Sequence, residues 1–72
     1  MAVLIGMSAD VKGKSFNIDR SPLKIGKAED NDVPVNVVGV SGHHCTITTE
    51  GDKFTIADLG STNGTRVNNK DI

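Results

Sequence analysis

Short apolar runs separated by polar turns follow one another along the whole sequence. Met1–Met7 is an unbroken apolar run, and it predicts a strand buried on both faces or an edge strand covered by a neighbour. Residues 15–19 alternate polar and apolar side chains, which is the period-two pattern of a half-buried strand. Because turn-forming residues fill positions 9–14 between them, the two segments predict an antiparallel hairpin.

The next two segments are shorter, and a proline precedes the first and lies within the second. Residues 23–25 resume the alternation after Pro22 and lead directly into Gly26-Lys27. The run 33–35 includes Pro34, which cannot donate a hydrogen bond to a neighbouring strand, so we expect this run at a sheet edge or at a first strand position.

A second hairpin is predicted in the C-terminal half. Residues 44–49 are dense in β-branched side chains and 54–57 form the returning strand, with a turn at 50–53. Cys45, Ile47 and Thr49 should share one face. A short strand at 66–68 and a turn at 69–71 are the last elements that the sequence predicts. Seven or so short strands and no helix longer than one turn predict an all-β sandwich that occupies residues 1–72 as one domain.

Composition limits the partners of such a domain. The 72 residues include two Phe, no Trp and no Tyr, so Val, Ile and Leu must form the core. Eight Lys and Arg against nine Asp and Glu give a net charge of -1, which argues against binding of nucleic acid or a membrane surface. Cys45 is the single cysteine and cannot form an internal disulfide, so we expect a cytoplasmic protein.

Three polar loops carry the candidate chemistry. Gly26-Lys27 follows one predicted strand, Ser41-Gly42-His43-His44 precedes another, and 60–65 follows the last long one. Together they supply a cation, hydroxyls and an amide, which suit a tetrahedral anion. A phosphorylated side chain carries about -1.5 to -2 charge and three strong acceptors, so a phosphopeptide is the natural ligand. No metal or cofactor is predicted.

The same residues, in this order and at these intervals, carry a resemblance to a known family. Gly26-Lys27, then Ser41-x-x-His44, then the run 58–65 and Asn68 resemble the forkhead-associated (FHA) domain over roughly residues 23–68. The resemblance implies a sandwich of the SMAD/FHA type. It also implies binding of phosphothreonine, in a protein that is a substrate of a Ser/Thr kinase, through loops at one end of the sandwich.

The resemblance further implies a role for each motif residue. Lys27 and Ser41 would hold the phosphate, Thr62 would contact it, and Asn63 would bind the ligand backbone. His44 would brace the loops, and the remaining motif positions would shape turns: Gly26, Gly64, Thr65 and Asn68.

Two departures from the family pattern bear on function. Lys27 stands where most members have arginine, and an ammonium lacks the planar fork that grips phosphate at two points. Gly42, which completes the predicted phosphopeptide-binding set, stands where many members carry a side chain that adds contacts. These departures leave open a second reading, a degenerate module that works through phosphate-independent interaction or self-association.

The family pattern also includes further strands after the Asn68 region. The sequence ends at Ile72, so we expect the sandwich without its last strands. An open sheet edge invites pairing, which predicts a homodimer or strand exchange through that edge unless the rest of the sandwich covers it.

Two other readings of the loop residues are weaker. Ser41 and His44 resemble a nucleophile and a base, but residues three apart at the start of a strand need not face each other, and no third residue orients the imidazole. His43, His44 and Cys45 are adjacent, so they point to alternate faces of a strand and make a poor metal site. We therefore predict a binding module that is not an enzyme.

Overall fold

A computed structural model describes residues 2–72, so Met1 of the predicted apolar run lies outside the described part. Eight short strands and one turn of 3-10 helix make up this part: β1 Val3–Ile5, the 3-10 turn Ala9–Val11, β2 Ser15–Asn17, β3 Leu23–Gly26, β4 Val33–Pro34, β5 Cys45–Glu50, β6 Lys53–Asp58, β7 Arg66–Val67 and β8 Lys70–Asp71. Within it, no helix has the length and apolar character needed to cross a membrane. The all-β class predicted from the pattern is confirmed.

Both predicted hairpins are present. β1 pairs antiparallel with β2, with Leu4 opposite Phe16. β5 pairs antiparallel with β6 along its whole length, from Cys45 opposite Asp58 to Glu50 opposite Lys53. The turn between β5 and β6 places Gly51 at a φ of 61°, a conformation that glycine adopts without steric cost.

The central sheet has the strand order β4-β3-β5-β6. β4 lies at its edge, as Pro34 requires, and runs parallel to β3. The N–H of Val35 donates to the Gly26 carbonyl oxygen at 2.7 Å and extends this pairing beyond the proline. The parallel direction was not predicted, because nothing in the loop between the two strands indicates its path.

The core lies between the β1-β2 hairpin and the central sheet. Leu23, Val33 and Ile47 are buried at its centre, and Leu4 and Phe16 of the hairpin pack against them. The β5 side chains alternate as predicted, since Cys45 and Ile47 are buried and face the core. Sheet on sheet packing of this kind defines a sandwich.

Two segments show how the predictions compare with the structure in detail. The sequence allowed two positions for β1, and burial on both faces is the one that the structure excludes: Leu4 packs against the core, while Val3 and Ile5 are 47% and 64% exposed. β1 is an edge strand that pairs with β2. Residues 70 and 71, predicted as a turn, form β8 instead. The turn is formed by Asn68 and Asn69, so it starts one residue before the predicted turn at 69–71. These two residues have φ values of 52° and 68°. Two successive positive φ values are typical of the tight turn that joins strands of a hairpin, and asparagine tolerates them.

Candidate functional site

The three predicted loops emerge at the same end of the central sheet. Ile25 of β3 lies opposite Cys45 of β5, and Cys45 lies opposite Asp58 of β6. β3 and β6 end near this row while β5 begins there. The loops that leave β3 and β6 and the loop that enters β5 are therefore neighbours.

The loop after β3 is tied to the Ser41-Gly42 segment by main-chain hydrogen bonds. The N–H of Lys27 donates to the Ser41 carbonyl oxygen at 2.9 Å, and that of Ala28 donates to the Gly42 carbonyl oxygen at 3.1 Å. Asn31 adds a side-chain bridge, since its Nδ2 donates to the carbonyl oxygens of Gly42 at 2.8 Å and Ala28 at 2.7 Å. Asn31 is buried, so this bridge is shielded from water.

Gly26 explains why the two loops approach so closely. A Cβ at this position would overlap the carbonyl oxygen of Gly42 and would lie 2.9 Å from its carbonyl carbon. Both atoms belong to the backbone, so they cannot turn away as a side chain would. The glycine predicted to shape the site is required here by the close approach of two backbones.

His44 joins the Ser41 loop to the loop after β6. Its Nδ1 accepts a hydrogen bond from the Ser41 N–H at 3.1 Å, and its Nε2 donates to the Gly64 carbonyl oxygen at 2.9 Å. Because an N–H can only donate and a carbonyl can only accept, the ring must carry its proton on Nε2. Both nitrogens contact main-chain groups, and neither contacts the Ser41 hydroxyl, so the pair does not have the geometry of a nucleophile and its base.

Asp58 organises the loop after β6. Its carboxylate accepts hydrogen bonds from the hydroxyls of Ser61 and Thr65 and from the N–H groups of Gly60 and Ser61. These bonds, led by that from the Ser61 hydroxyl and then that from Thr65, lower the pKa of Asp58 to about 2. A carboxylate held in this way keeps its charge and fixes the loop.

Ser41, Thr62 and Asn63 line one open cleft of about 230 Å³, together with Gly39 and Val40. The Ser41 Oγ accepts a hydrogen bond from the Thr62 N–H at 3.1 Å, which leaves the hydroxyl proton available to a ligand. The Asn63 Nδ2 donates to the Gly39 carbonyl oxygen at 2.9 Å, which leaves Oδ1 available to a ligand N–H. Three of the predicted phosphopeptide-binding residues, Ser41, Thr62 and Asn63, thus line the same cleft, and their binding role stays a prediction.

The other predicted residues do not line this cleft. Lys27 is exposed and lines a different cleft with Ala28 and Glu29, so the predicted cation is not part of the Ser41 cleft as the structure stands. Gly42 is exposed and has open space where a side chain would stand. Gly64, with a φ of 82°, receives the His44 hydrogen bond at a turn. Asn68 lies in the β7-β8 turn.

Sequence reasoning missed two residues that position the site. Asn31 lies in a polar stretch of the sequence where nothing indicates that its side chain is buried, so the sequence did not identify it as a residue that joins two loops. Asp58 was recognised only as part of the motif, although the spacing Asp-x-x-Ser is itself a signal for a side chain that accepts from main-chain N–H groups two and three residues ahead.

No cluster of three or more His, Cys, Asp or Glu side chains able to hold a metal ion occurs within residues 2–72. The ring of His43 contacts the carboxylate of Asp30 at 3.1 Å, and His44 is engaged as described above. Cys45 is a buried free thiol, and burial raises its pKa, with a smaller contribution from the Asp58 carboxylate.

Comparison with known proteins identifies the family. The profile of the FHA domain matches residues 23–72, so the chain belongs to the FHA domain family. Glycogen accumulation regulator GarA of Mycolicibacterium smegmatis is 32% identical over 71 residues, which are 99% of this chain and 45% of the relative. The chain thus spans less than half the length of that relative.

Solved structures agree with this assignment. Mycobacterium tuberculosis EmbR, solved in complex with a low-affinity phosphopeptide, is 33% identical with a TM-score of 0.79, over 83% of this chain and 16% of EmbR. The FHA domain of FhaA, solved in complex with the intracellular domain of another protein, is 35% identical with a TM-score of 0.80, over 88% of this chain and 69% of that one. The predicted FHA-like sandwich is confirmed.

Proposed function

We propose that this domain binds phosphothreonine peptides in the cleft formed by Ser41, Thr62 and Asn63. The observation that carries the proposal is the Ser41 hydroxyl, which lines the cleft and whose oxygen accepts from the Thr62 N–H, so that its proton is free to be donated to a ligand oxygen. The accepted bond holds the Ser41 oxygen in place before a ligand arrives, which lowers the cost of binding.

A phosphate in this cleft would meet several donors. The hydroxyls of Ser41 and Thr62 would supply two. Lys27 lines another cleft in the structure, but its N–H donates to the Ser41 carbonyl oxygen, so rotation of its exposed side chain would bring the ammonium to the phosphate. Each charge-assisted bond contributes about 1.5 to 3 kcal/mol, so three contribute roughly 5 to 9 kcal/mol before an association cost of about 4 kcal/mol or more. Phosphate contacts alone give weak binding, so flanking residues must add to it. Asn63 would hold their backbone.

The nature of the partner follows from this site. EmbR was solved with a phosphopeptide and FhaA with the intracellular domain of another protein. For this chain we propose a protein phosphorylated on threonine by a Ser/Thr kinase, met in the cytoplasm and bound without chemical conversion. Phosphoserine lacks one methyl group, which corresponds to about 0.8 kcal/mol or around fourfold weaker binding.

The proposal is tested by titrating one peptide in phosphothreonine, phosphoserine and plain forms against four proteins. These are the wild type, Ser41→Ala, Lys27→Ala and, as a matched control, Thr55→Ala, which removes an exposed hydroxyl from the middle of β6. Ser41→Ala removes one charge-assisted bond to the phosphate, so it should weaken binding of the phosphothreonine peptide by about tenfold or more. Thr55→Ala should leave binding unchanged. Equal binding of phosphorylated and plain peptides would reject the proposal and favour the phosphate-independent module.

Self-association through an open sheet edge is a separate proposal. Within residues 2–72, β6 lies at the end of the central sheet and pairs with β5 alone. Phe54 of β6 lies opposite Thr49 of β5 and is 49% exposed, so this edge is apolar as well as unpaired. Such an edge favours pairing with a second copy.

A further inference from the structure

A second cleft includes Lys27, whose N–H donates to the carbonyl oxygen of Ser41 in the proposed phosphate site. It measures about 440 Å³, against about 230 Å³ for the Ser41 cleft. Its charged lining consists of Asp10 and Lys14 from the segment between β1 and β2, and Lys27 and Glu29 from the loop after β3. We infer that this cleft takes a basic side chain of the phosphopeptide, an inference that rests on the proposed phosphothreonine site.

The charges in the cleft are balanced only while no phosphopeptide is bound. The lining residues include two lysines and two acidic residues, and the ion pairs formed within residues 2–72 all involve other acidic residues. When a phosphate engages the Lys27 ammonium, that charge is neutralised by the ligand. The cleft then holds Asp10 and Glu29 against Lys14 alone, so its remaining charge is negative and favours a cation.

The two clefts are close enough for one peptide to occupy both. Lys27 lines the second cleft, and its N–H donates to the carbonyl oxygen of Ser41, which lines the first. An extended peptide advances about 3.3 to 3.6 Å per residue, so a residue a short distance along from the phosphothreonine reaches the cleft.

Arginine suits this cleft better than lysine. Asn36 also lines it, and an asparagine side chain adds an acceptor oxygen to those of the two carboxylates. A guanidinium presents five N–H donors in a planar fork and can engage a carboxylate with two parallel bonds, whereas an ammonium acts as a point charge. An acidic flanking side chain would instead face two like charges, and Lys14 offsets only one of them.

The inference is tested with a labelled phosphothreonine peptide in which all flanking residues are alanine. Arginine, lysine or glutamate then replaces alanine at each flanking position in turn, and affinity is measured by fluorescence anisotropy. We expect about a two- to fivefold gain for arginine at one or two adjacent positions, the range for an exposed ion pair, and a smaller gain for lysine. Glutamate at the same positions should weaken binding.

Variants assign the gain to this cleft. Asp10→Asn and Glu29→Gln should each reduce the arginine gain, and Lys14→Ala should increase it. Glu50→Gln is the matched control, because Glu50 is an exposed carboxylate at the far end of β5. All four side chains are exposed, so the fold should survive these changes. An arginine gain that is equal at every position, or that persists in both Asp10→Asn and Glu29→Gln, would overturn the inference.

The controls separate this inference from the proposed function. If glutamate gains affinity and Lys14→Ala removes the gain, the cleft binds an anion and the inference is wrong while phosphothreonine recognition stands. If the all-alanine phosphopeptide binds no better than its unphosphorylated twin, the phosphothreonine site itself is rejected, and with it the subsite.

Discussion

The backbone of Gly26 lies so close to that of Gly42 that a Cβ on Gly26 would be 2.9 Å from the Gly42 carbonyl carbon. Gly42 itself has nothing within 4 Å of its own would-be Cβ. Gly26 at the end of β3 and Gly42 in the loop before β5 therefore have opposite requirements, although the sequence shows them as similar motif positions.

This relationship predicts opposite outcomes for two alanine substitutions. Gly26→Ala should lower the free energy of unfolding by about 1 to 3 kcal/mol, since a backbone must shift to admit the methyl group. Gly42→Ala should leave it nearly unchanged. Urea denaturation of both variants measures the difference, and equal midpoints would show that the two loops are not held together at Gly26.

Gly42 also offers a gain of function. A side chain there meets open space and stands beside Ser41, so Gly42→Arg should add a cation next to the phosphate. We expect roughly fivefold tighter binding of the phosphothreonine peptide, the upper range for an exposed ion pair, and no gain for the plain peptide. The gain should diminish as salt is raised, and a gain that is insensitive to salt would argue against a charge contact.

His44 should be essential for holding the Ser41 loop next to the loop after β6. His44→Ala removes a hydrogen bond to the Ser41 N–H and one to the Gly64 carbonyl, a loss of about 1 to 3 kcal/mol of stability at roughly 0.5 to 1.5 kcal/mol each. His43→Ala is the control, because the His43 ring is exposed and contacts only the exposed Asp30 carboxylate. Denaturant unfolding compares the two, and similar losses would contradict the bracing role.

The imidazole itself can be observed directly. Nitrogen-15 chemical shifts of His44 at neutral pH should identify Nε2 as the protonated nitrogen. A ring protonated on Nδ1 could not accept from the Ser41 N–H, and this result would exclude the hydrogen-bond pattern described here.

Asp58 makes stability depend on pH in the acid range. Its pKa falls from the ordinary 3.8 to about 2 in the folded protein, because it accepts bonds from the Ser61 and Thr65 hydroxyls and from main-chain N–H groups. The unfolded chain takes up the proton first, so the stabilisation is complete above about pH 4 and is lost as the pH falls through about 2. Carboxyl carbon shifts followed by acid titration should place the Asp58 midpoint near 2.

Replacing Asp58 should remove that contribution. Asp58→Asn loses the charge and one acceptor oxygen, so its melting temperature should be lower at pH 7 and should change less between pH 4 and 2 than that of the wild type. Asp52→Asn, in the exposed turn at the opposite end of the sheet, is the control and should retain the pH dependence of the wild type. An Asp58→Asn curve parallel to that of the wild type would assign the acid sensitivity to another carboxyl.

The exposed edge of β6 predicts concentration-dependent association. Phe54→Lys places a charge on the apolar face beside the unpaired edge, a feature that suppresses strand pairing. We expect analytical ultracentrifugation to show dimer in the wild type at high concentration and monomer in Phe54→Lys. A wild type that remains monomeric at all concentrations would count against pairing through β6.

Several features of the molecule followed from the sequence pattern alone. Alternation in residues 15–19 predicted β2, the β-branched run 44–49 predicted β5 with Cys45 and Ile47 on one face, and the proline at 34 predicted an edge strand. These inferences hold because side-chain alternation and the missing N–H of proline are local properties. The same reasoning left two positions open for β1, because an apolar run is compatible with several degrees of burial, and burial depends on what packs against it.

The motif residues were recognisable for a different reason. Ser41, His44, Thr62 and Asn63 lie in loops at strand ends, and strand order along the chain already implies that such loops can share one end of a sheet. Their actual contacts required the structure. Only the folded chain shows that His44 is hydrogen bonded to the main chain of Ser41 and of Gly64. It also shows that the buried Asn31 side chain donates to the Gly42 carbonyl oxygen, and that Lys27 lines a cleft with Asp10 and Lys14.

By itself, then, the sequence determined the strand class, the family and the chemical groups offered to a ligand, since each depends on residue type and spacing. The tertiary structure decided which loops touch, which glycine tolerates a side chain and which charges share a cleft. Such contacts join residues far apart in the chain, and their distances depend on how the sheets pack rather than on any local pattern.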